Sequence, residues 1–173
     1  DKGVGGDTAG VGGGYDIVVK HSGLMDGLSV GVGMSTIEQE KNSESAKNTT
    51  SGDRSQYAAY ATYAVGSITI GYQETRDNMQ NTGGGAASYY DNEAYGISFN
   101  VNDDLSISYG KHTSTKHVNK NSSVELEAES VQIAYSMGGA SIRLAETSAD
   151  NINYTSATVN DRDGTTLSLS LAF

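Results

Sequence analysis

Gly164–Phe173 reads GTTLSLSLAF, and the fold turns on how these ten residues are read. Leu167, Leu169, Leu171 and Phe173 fall on one face. Thr166, Ser168, Ser170 and Ala172 fall on the other, because successive side chains of a strand point to opposite sides. Seen once, this is the half-buried strand of a soluble sandwich. The same pattern recurs along nearly the whole chain, and the recurrence carries the reading.

Moving back from that strand, Ile142 and Leu144 alternate with Ser141, Arg143 and Ala145. Gly138-Gly139 before them makes a hairpin turn that accepts positive φ. Val131, Ile133, Tyr135 and Met137 precede it, alternating with Gln132, Ala134 and Ser136. Leu105, Ile107 and Tyr109 pair in pattern with Tyr95, Ile97, Phe99 and Val101 across the turn Asn102-Asp103-Asp104. Ile68, Ile70 and Tyr72 follow Tyr57, Ala59, Ala61, Tyr63 and Val65 across Gly66-Ser67. The first hairpin is Tyr15 to His21 with Leu28, Val30, Val32 and Met34. Long polar stretches at 38–54, 76–90, 115–125 and 148–163 separate these hairpins. The chain therefore predicts about nine antiparallel strands in one domain spanning 1–173, joined alternately by short turns and long loops. Residues 1–14 are a Gly-rich loop. They follow no strand and precede no helix pattern, so they do not make a phosphate-binding loop.

Composition narrows the class. The 173 residues contain no Cys, no Pro and no Trp, which removes disulfides, thiol chemistry and the usual zinc sets. A net charge of −10 without clustered Lys and Arg argues against a nucleic-acid partner. No run of about 20 apolar residues makes a transmembrane helix. A mean hydropathy of −0.44 is still compatible with a membrane barrel, in which only every second residue need be apolar.

The two faces decide between sandwich and barrel. A sandwich packs its apolar face inward and carries charge outside. Here the polar face is mostly Ser, Gly, Thr and Ala, which suits a crowded or water-filled lumen. Tyr15, Tyr57, Tyr63, Tyr72, Tyr95, Tyr109 and Tyr135 stand toward strand ends on the apolar face, as aromatic residues do at a membrane boundary. The expected fold is an all-β, antiparallel transmembrane β-barrel in the bacterial outer membrane, with outer-membrane lipid as its surroundings. Short turns then face the periplasm and long loops face outward. Nine strands put the two chain ends on opposite sides, whereas single-chain bacterial barrels have an even count. Either strands upstream are missing, or Tyr15 to His21 is a loop and the protein is a small barrel of about eight strands.

The stretches YDIVVKHSGLMDGLSVGVGMS (15–35), YAAYATYAVGSITIGYQ (57–73) and NEAYGISFNVNDDLSISYG (92–110) resemble Gram-negative general porins of the alphaproteobacterial type. The ending LSLSLAF resembles the signal read by the outer-membrane barrel assembly machinery, which makes Leu169, Leu171 and Phe173 its candidate residues. The resemblance extends over nearly all of this chain but corresponds to the C-terminal portion of a porin. It implies a homotrimer of barrels of about 16 strands each, conducting ions and small hydrophilic solutes by passive diffusion. The family's constriction loop has no clear counterpart here, so no selectivity residue is carried over from it.

The candidate pore-lining residues are the larger polar-face side chains Asp16, Lys20, Gln73, Asn100, His112 and Arg143. Arg143 stands between Ile142 and Leu144, and on the lipid face it would cost about 2–4 kcal/mol near mid-membrane. His21, His112 and His117 lack metal-ligand spacing. The acidic groups Asp150, Asp161 and Asp163, and Asp91 and Glu93, read as solvated outer loops, with loop-bound Ca²⁺ the weaker reading. No cofactor is expected. No Ser, His and acid set recommends a hydrolase, so the chain is expected not to be an enzyme. The competing function is a small or plugged barrel with a structural or adhesive role through its loops.

Overall fold

The computed structural model describes residues 12–39, 50–82, 87–118 and 121–172. The elements are β1 (Gly14–His21), β2 (Leu28–Ile37), β3 (Arg54–Val65), β4 (Ile68–Asn78), β5 (Tyr89–Asn100), β6 (Leu105–Val118), the two-residue β7 (Asn121–Ser122), β8 (Leu126–Met137), β9 (Ala140–Asp150) and β10 (Arg162–Leu171), with a 3-10 turn at Thr158–Asn160. All strands join one antiparallel sheet in chain order, with β7 lying beside β6 off the main path. The sheet is open: β1 and β10 are its two edges. β1 pairs with β2 along its whole length, from Gly14↔Ile37 to His21↔Val30, so the reading of Tyr15 to His21 as a loop in an eight-stranded barrel does not hold. The sheet does not by itself make a 16-stranded barrel.

Tight turns close the short ends. In Val65-Gly66-Ser67-Ile68 and Met137-Gly138-Gly139-Ala140 the first central residue has φ of +58° and +59°, a left-handed conformation that glycine adopts at no steric cost. Between β5 and β6 the Asn102 side-chain oxygen accepts the N–H groups of Asp104 at 2.9 Å and Leu105 at 2.8 Å, folding the turn on itself.

The strands run further toward the long loops than the apolar alternation implies. β3 starts at Arg54, β4 continues to Asn78, β5 starts at Tyr89, β6 reaches Val118, β8 starts at Leu126 and β9 reaches Asp150. Segments that read as loop in the sequence are paired strand. The reason is physical: beyond the apolar band the outward positions become Glu, Lys and Asp, so periodicity fades while the hydrogen-bond ladder continues. Glu74 and Glu93 are direct cross-strand partners on the outward face. Facing carboxylates repel and are costly away from water, so on β4 and β5 the apolar run stops at the Tyr72↔Tyr95 row just before them.

The sheet has almost no interior core. Among the described residues the buried apolar side chains are Ala87 and Ala145 alone, and no large side chain is fully buried. Ile17, Val32, Ile70, Ile97, Val131, Ile133, Leu144, Leu167, Leu169 and Leu171 all lie exposed, Leu167 by 70%. A soluble monomer does not expose so large a contiguous apolar surface. The expectation of one greasy and one polar face therefore holds, with the greasy face turned outward. Leu169 and Leu171 lie on it; Phe173 is outside the described residues, as are residues 1–11 of the Gly-rich loop.

Ile133 sits centrally in the band, opposite Ile107 and Leu144. Ile133→Arg should cost about 2–4 kcal/mol in urea titrations of the membrane-folded protein. Gln132→Arg, one residue away on the polar face, should cost far less. Equal losses would contradict the assignment of faces.

Candidate functional site

The polar face is organised by register into rows that cross the sheet. One row passes from Lys20 through Gly31, Tyr60, Gln73, Ala94, His112, Ala128 and Ala149 to Arg162, so it spans all nine long strands. It brings Lys20, Gln73 and His112 to one level. A second row, nearer the short turns, is Asn100, Ser106, Ala134, Arg143 and Ser168. It places Asn100 and Arg143 together, three strands apart. Asp16 stands at a third level, in line with Ser35, Gln56, Asp77, Tyr90 and Lys116 toward the long loops. All six candidate lining residues thus lie on the polar face, and all six are exposed.

The sequence reading missed several side chains of this face. Tyr60 is one: a Cβ built on Gly31 would lie 2.3 Å from its ring, so the absence of a side chain at Gly31 makes room for the phenol. Arg54 and Asp77, assigned to loops from the sequence, form an ion pair across β3 and β4, with Arg54 Nε donating to Asp77 Oδ1 at 2.8 Å. Hydrogen bonding to Arg54 holds the Asp77 carboxyl below its ordinary range despite partial burial. The same bond to Asp77 raises Arg54. A polar chain also crosses the strands. Asn92 Nδ2 donates to Thr75 Oγ1 at 3.1 Å, and Ser114 Oγ donates to Asn92 Oδ1 at 2.6 Å. None of these has an apolar pattern that would have drawn attention to it.

Charge separates between the faces. On the described strands the polar face carries Lys20, Arg54, Lys116, Arg143 and Arg162 against Asp16 and Asp77. The opposite, outward face carries Glu74, Asp91, Glu93, Glu127, Glu129, Glu146, Asp150 and Asp163 against Arg76 and Lys111, with Glu146 reaching the row of Val131 and Tyr109. Lys111 Nζ reaches Glu127 at 2.6 Å and Glu129 at 3.3 Å. Arg76 grips Asp91, lies over the Tyr89 ring at 5.0 Å, and that ring stacks on His117 at 4.1 Å. So on the described strands the polar face is net positive and the outward face net negative.

Among the described residues no group of three or more His, Cys, Asp or Glu side chains comes together to hold a metal. Asp91, Glu93, Asp150 and Asp163 lie on strands rather than in loops. Asp161 does lie in a loop, where its carboxylate accepts the Asn151 N–H at 3.0 Å. His112 faces the polar side. His117 faces outward, against Asp91 at 3.2 Å.

This geometry defines a segment of outer-membrane-type β-barrel wall. No protein-family model matches the chain, and no curated protein matches it. Among solved structures it is similar to the outer-membrane expressed OmpT of Vibrio cholerae, with a TM-score of 0.59 at 14% sequence identity. The match covers 79% of this chain and 45% of that one, so this chain spans less than half of its length. The likeness is one of fold: all-β, antiparallel and of the outer-membrane barrel kind. It also corrects one expectation. Outer-membrane barrels include enzymes as well as proteins that are not, so the expectation that this chain is not an enzyme does not stand on its architecture.

Asp77→Asn should lower stability by about 0.5–1 kcal/mol at neutral pH, the scale of a half-exposed pair. Because the folded carboxyl titrates below its unfolded value, the stabilisation is fully present above the ordinary carboxylate range and is lost as pH falls through the lowered value. Urea midpoints of wild type and variant should therefore differ at neutral pH and converge in acid. A gap that persists in acid would rule out the pair as its source.

Proposed function

We propose that this chain is the C-terminal portion of a porin, forming part of the wall of a water-filled outer-membrane channel for passive diffusion of ions and small hydrophilic solutes. One observation carries the reading: a face of small polar residues studded with exposed cations backs directly onto an apolar outer surface. A lipid-facing sheet must close, because unpaired backbone groups in hydrocarbon cost several kcal/mol each. The free edges of β1 and β10 call for further strands, and a barrel of about 16 strands of the general-porin type supplies them. Trimer formation, and recognition of Leu169, Leu171 and Phe173 by the assembly machinery, belong to the same reading.

Selectivity in such a channel comes from bore and lining charge. Lys20, Gln73 and His112 at one level, Asn100 and Arg143 at another, and Asp16 nearer the outer end are the proposed lining. The excess of cations on this face favours anions along this part of the wall.

Single-channel recording of the full-length, detergent-extracted protein in planar bilayers tests the proposal. Large ohmic steps that close in thirds are expected. No current, with insertion verified, would overturn the channel and leave a plugged barrel. Arg143→Glu should shift the reversal potential in a KCl gradient toward cations, and an unmoved potential would remove Arg143 from the lining.

A further inference from the structure

The segment between β9 and β10, Asn151–Asp161, is exposed over Thr155–Val159, but it is tied down at Asn151 and Asp161, and its Tyr154 returns over the polar face. The Tyr154 hydroxyl lies 3.0 Å from Ser114 Oγ on β6, which is separated from β9 by β8. Its ring packs at 5.6 Å against Tyr90 of β5. Ser114 is the most buried polar residue described, at 3% exposure, and it also bonds Asn92. Tyr154 thereby completes the polar chain of Thr75, Asn92 and Ser114.

The loop is built to hold this position. Asn151 Nδ2 donates to the Glu125 carbonyl at 2.9 Å, tying it to the entry of β8. The Asp161 carboxylate closes it through the Asn151 N–H at 3.0 Å, and the Tyr154 N–H returns to the Asn151 carbonyl at 2.8 Å. Asn151, Asn153 and Tyr154 have φ of 54°, 69° and 59°. Asn tolerates this left-handed region, but a tyrosine there is held against its preference. Such strain persists only where surrounding contacts over-determine it. The contacts that do so here are those that bring the ring down onto β5 and β6.

We infer that Asn151–Asp161 is a strap latched across the polar face by Tyr154, which narrows the passage at its outer end and screens the wall beneath it. The inference rests on the channel reading. Its consequence is that the solutes admitted are limited by this strap as well as by the charges of the wall. His112, two residues along β6 from Ser114, lies just inside it.

The latch and the narrowing can be read separately. This chain has no native cysteine, so Ser114→Cys is its single thiol, and full-length protein without that substitution gives the labelling background. In folded full-length protein that thiol should react slowly with a small water-soluble maleimide. Adding Tyr154→Ala should accelerate labelling roughly tenfold or more, as a buried group becomes open. Heat-shifted migration on gels checks that each variant is folded. In bilayers, Tyr154→Ala should raise single-channel conductance by a factor on the order of 1.5 to 2. Tyr154→Phe, which keeps the ring and loses the hydroxyl, should fall between. Labelling equally fast with and without Tyr154 would overturn the latch. Protection with unchanged conductance in a conducting wild type would overturn the narrowing. If neither wild type nor Tyr154→Ala conducts, the channel reading fails and the narrowing with it, while labelling still decides the latch.

Discussion

Everything in this structure depends on the continuity of the backbone hydrogen-bond ladder. From β1 to β10 each long strand pairs with the next along the main path, and the pairing runs nearly the full length of each strand. In hydrocarbon no water can satisfy an N–H or C=O group, so a strand there is tolerable only if its neighbours satisfy it. The ladder also fixes the register. Because side chains alternate with a period of two, a slip of one residue would carry Leu, Ile and Val to the polar side and Ser, Gln and Arg to the apolar side. The separation of faces, the rows of polar residues and the segregation of charge are all consequences of that single constraint.

The near-absence of an internal core follows from the same source. A soluble protein gains stability by turning apolar side chains toward one another. This sheet turns them outward and keeps only Ala87 and Ala145 buried among its described apolar residues. In an outer-membrane barrel the hydrophobic contribution comes from the surrounding lipid rather than from packing within the chain. Contacts on the polar face take over local specificity, as in Gly31 beneath the Tyr60 ring and in the bonds linking Thr75, Asn92, Ser114 and Tyr154. Outward carboxylates begin at Glu74 and Glu93 on β4 and β5, and nearer the short turns, at Glu129 and Glu146, on β8 and β9.

Placement along the strand explains the division of labour among charged groups. Arg143 lies in the segment of β9 whose alternate residues, Ile142 and Leu144, face outward, so it can only face the polar side. Arg76 and Lys111 lie on the outward face toward the long loops, where Asp91 and Glu127 partner them. Similarity to the Vibrio cholerae OmpT barrel concerns this architecture and not the residues that line it, since the two chains share 14% of their sequence.

By itself the sequence determined the strand order, the turns and the facing of each strand. Alternation of apolar and small polar residues is a local property, and it is legible wherever one face meets hydrocarbon; that is why Asp16, Lys20, Gln73, Asn100, His112 and Arg143 could be placed on the polar face from pattern alone. The strand ends beyond the band were not legible, because pairing there is maintained by partners distant in sequence, such as Arg54 with Asp77 and Lys111 with Glu127. The levels at which the lining residues meet were set by register, which no single strand encodes. The return of Tyr154 to Ser114, 40 residues earlier in the chain, was decided by tertiary structure alone. A polar loop with no periodicity carries no sign of where it will lie until the wall it packs against exists.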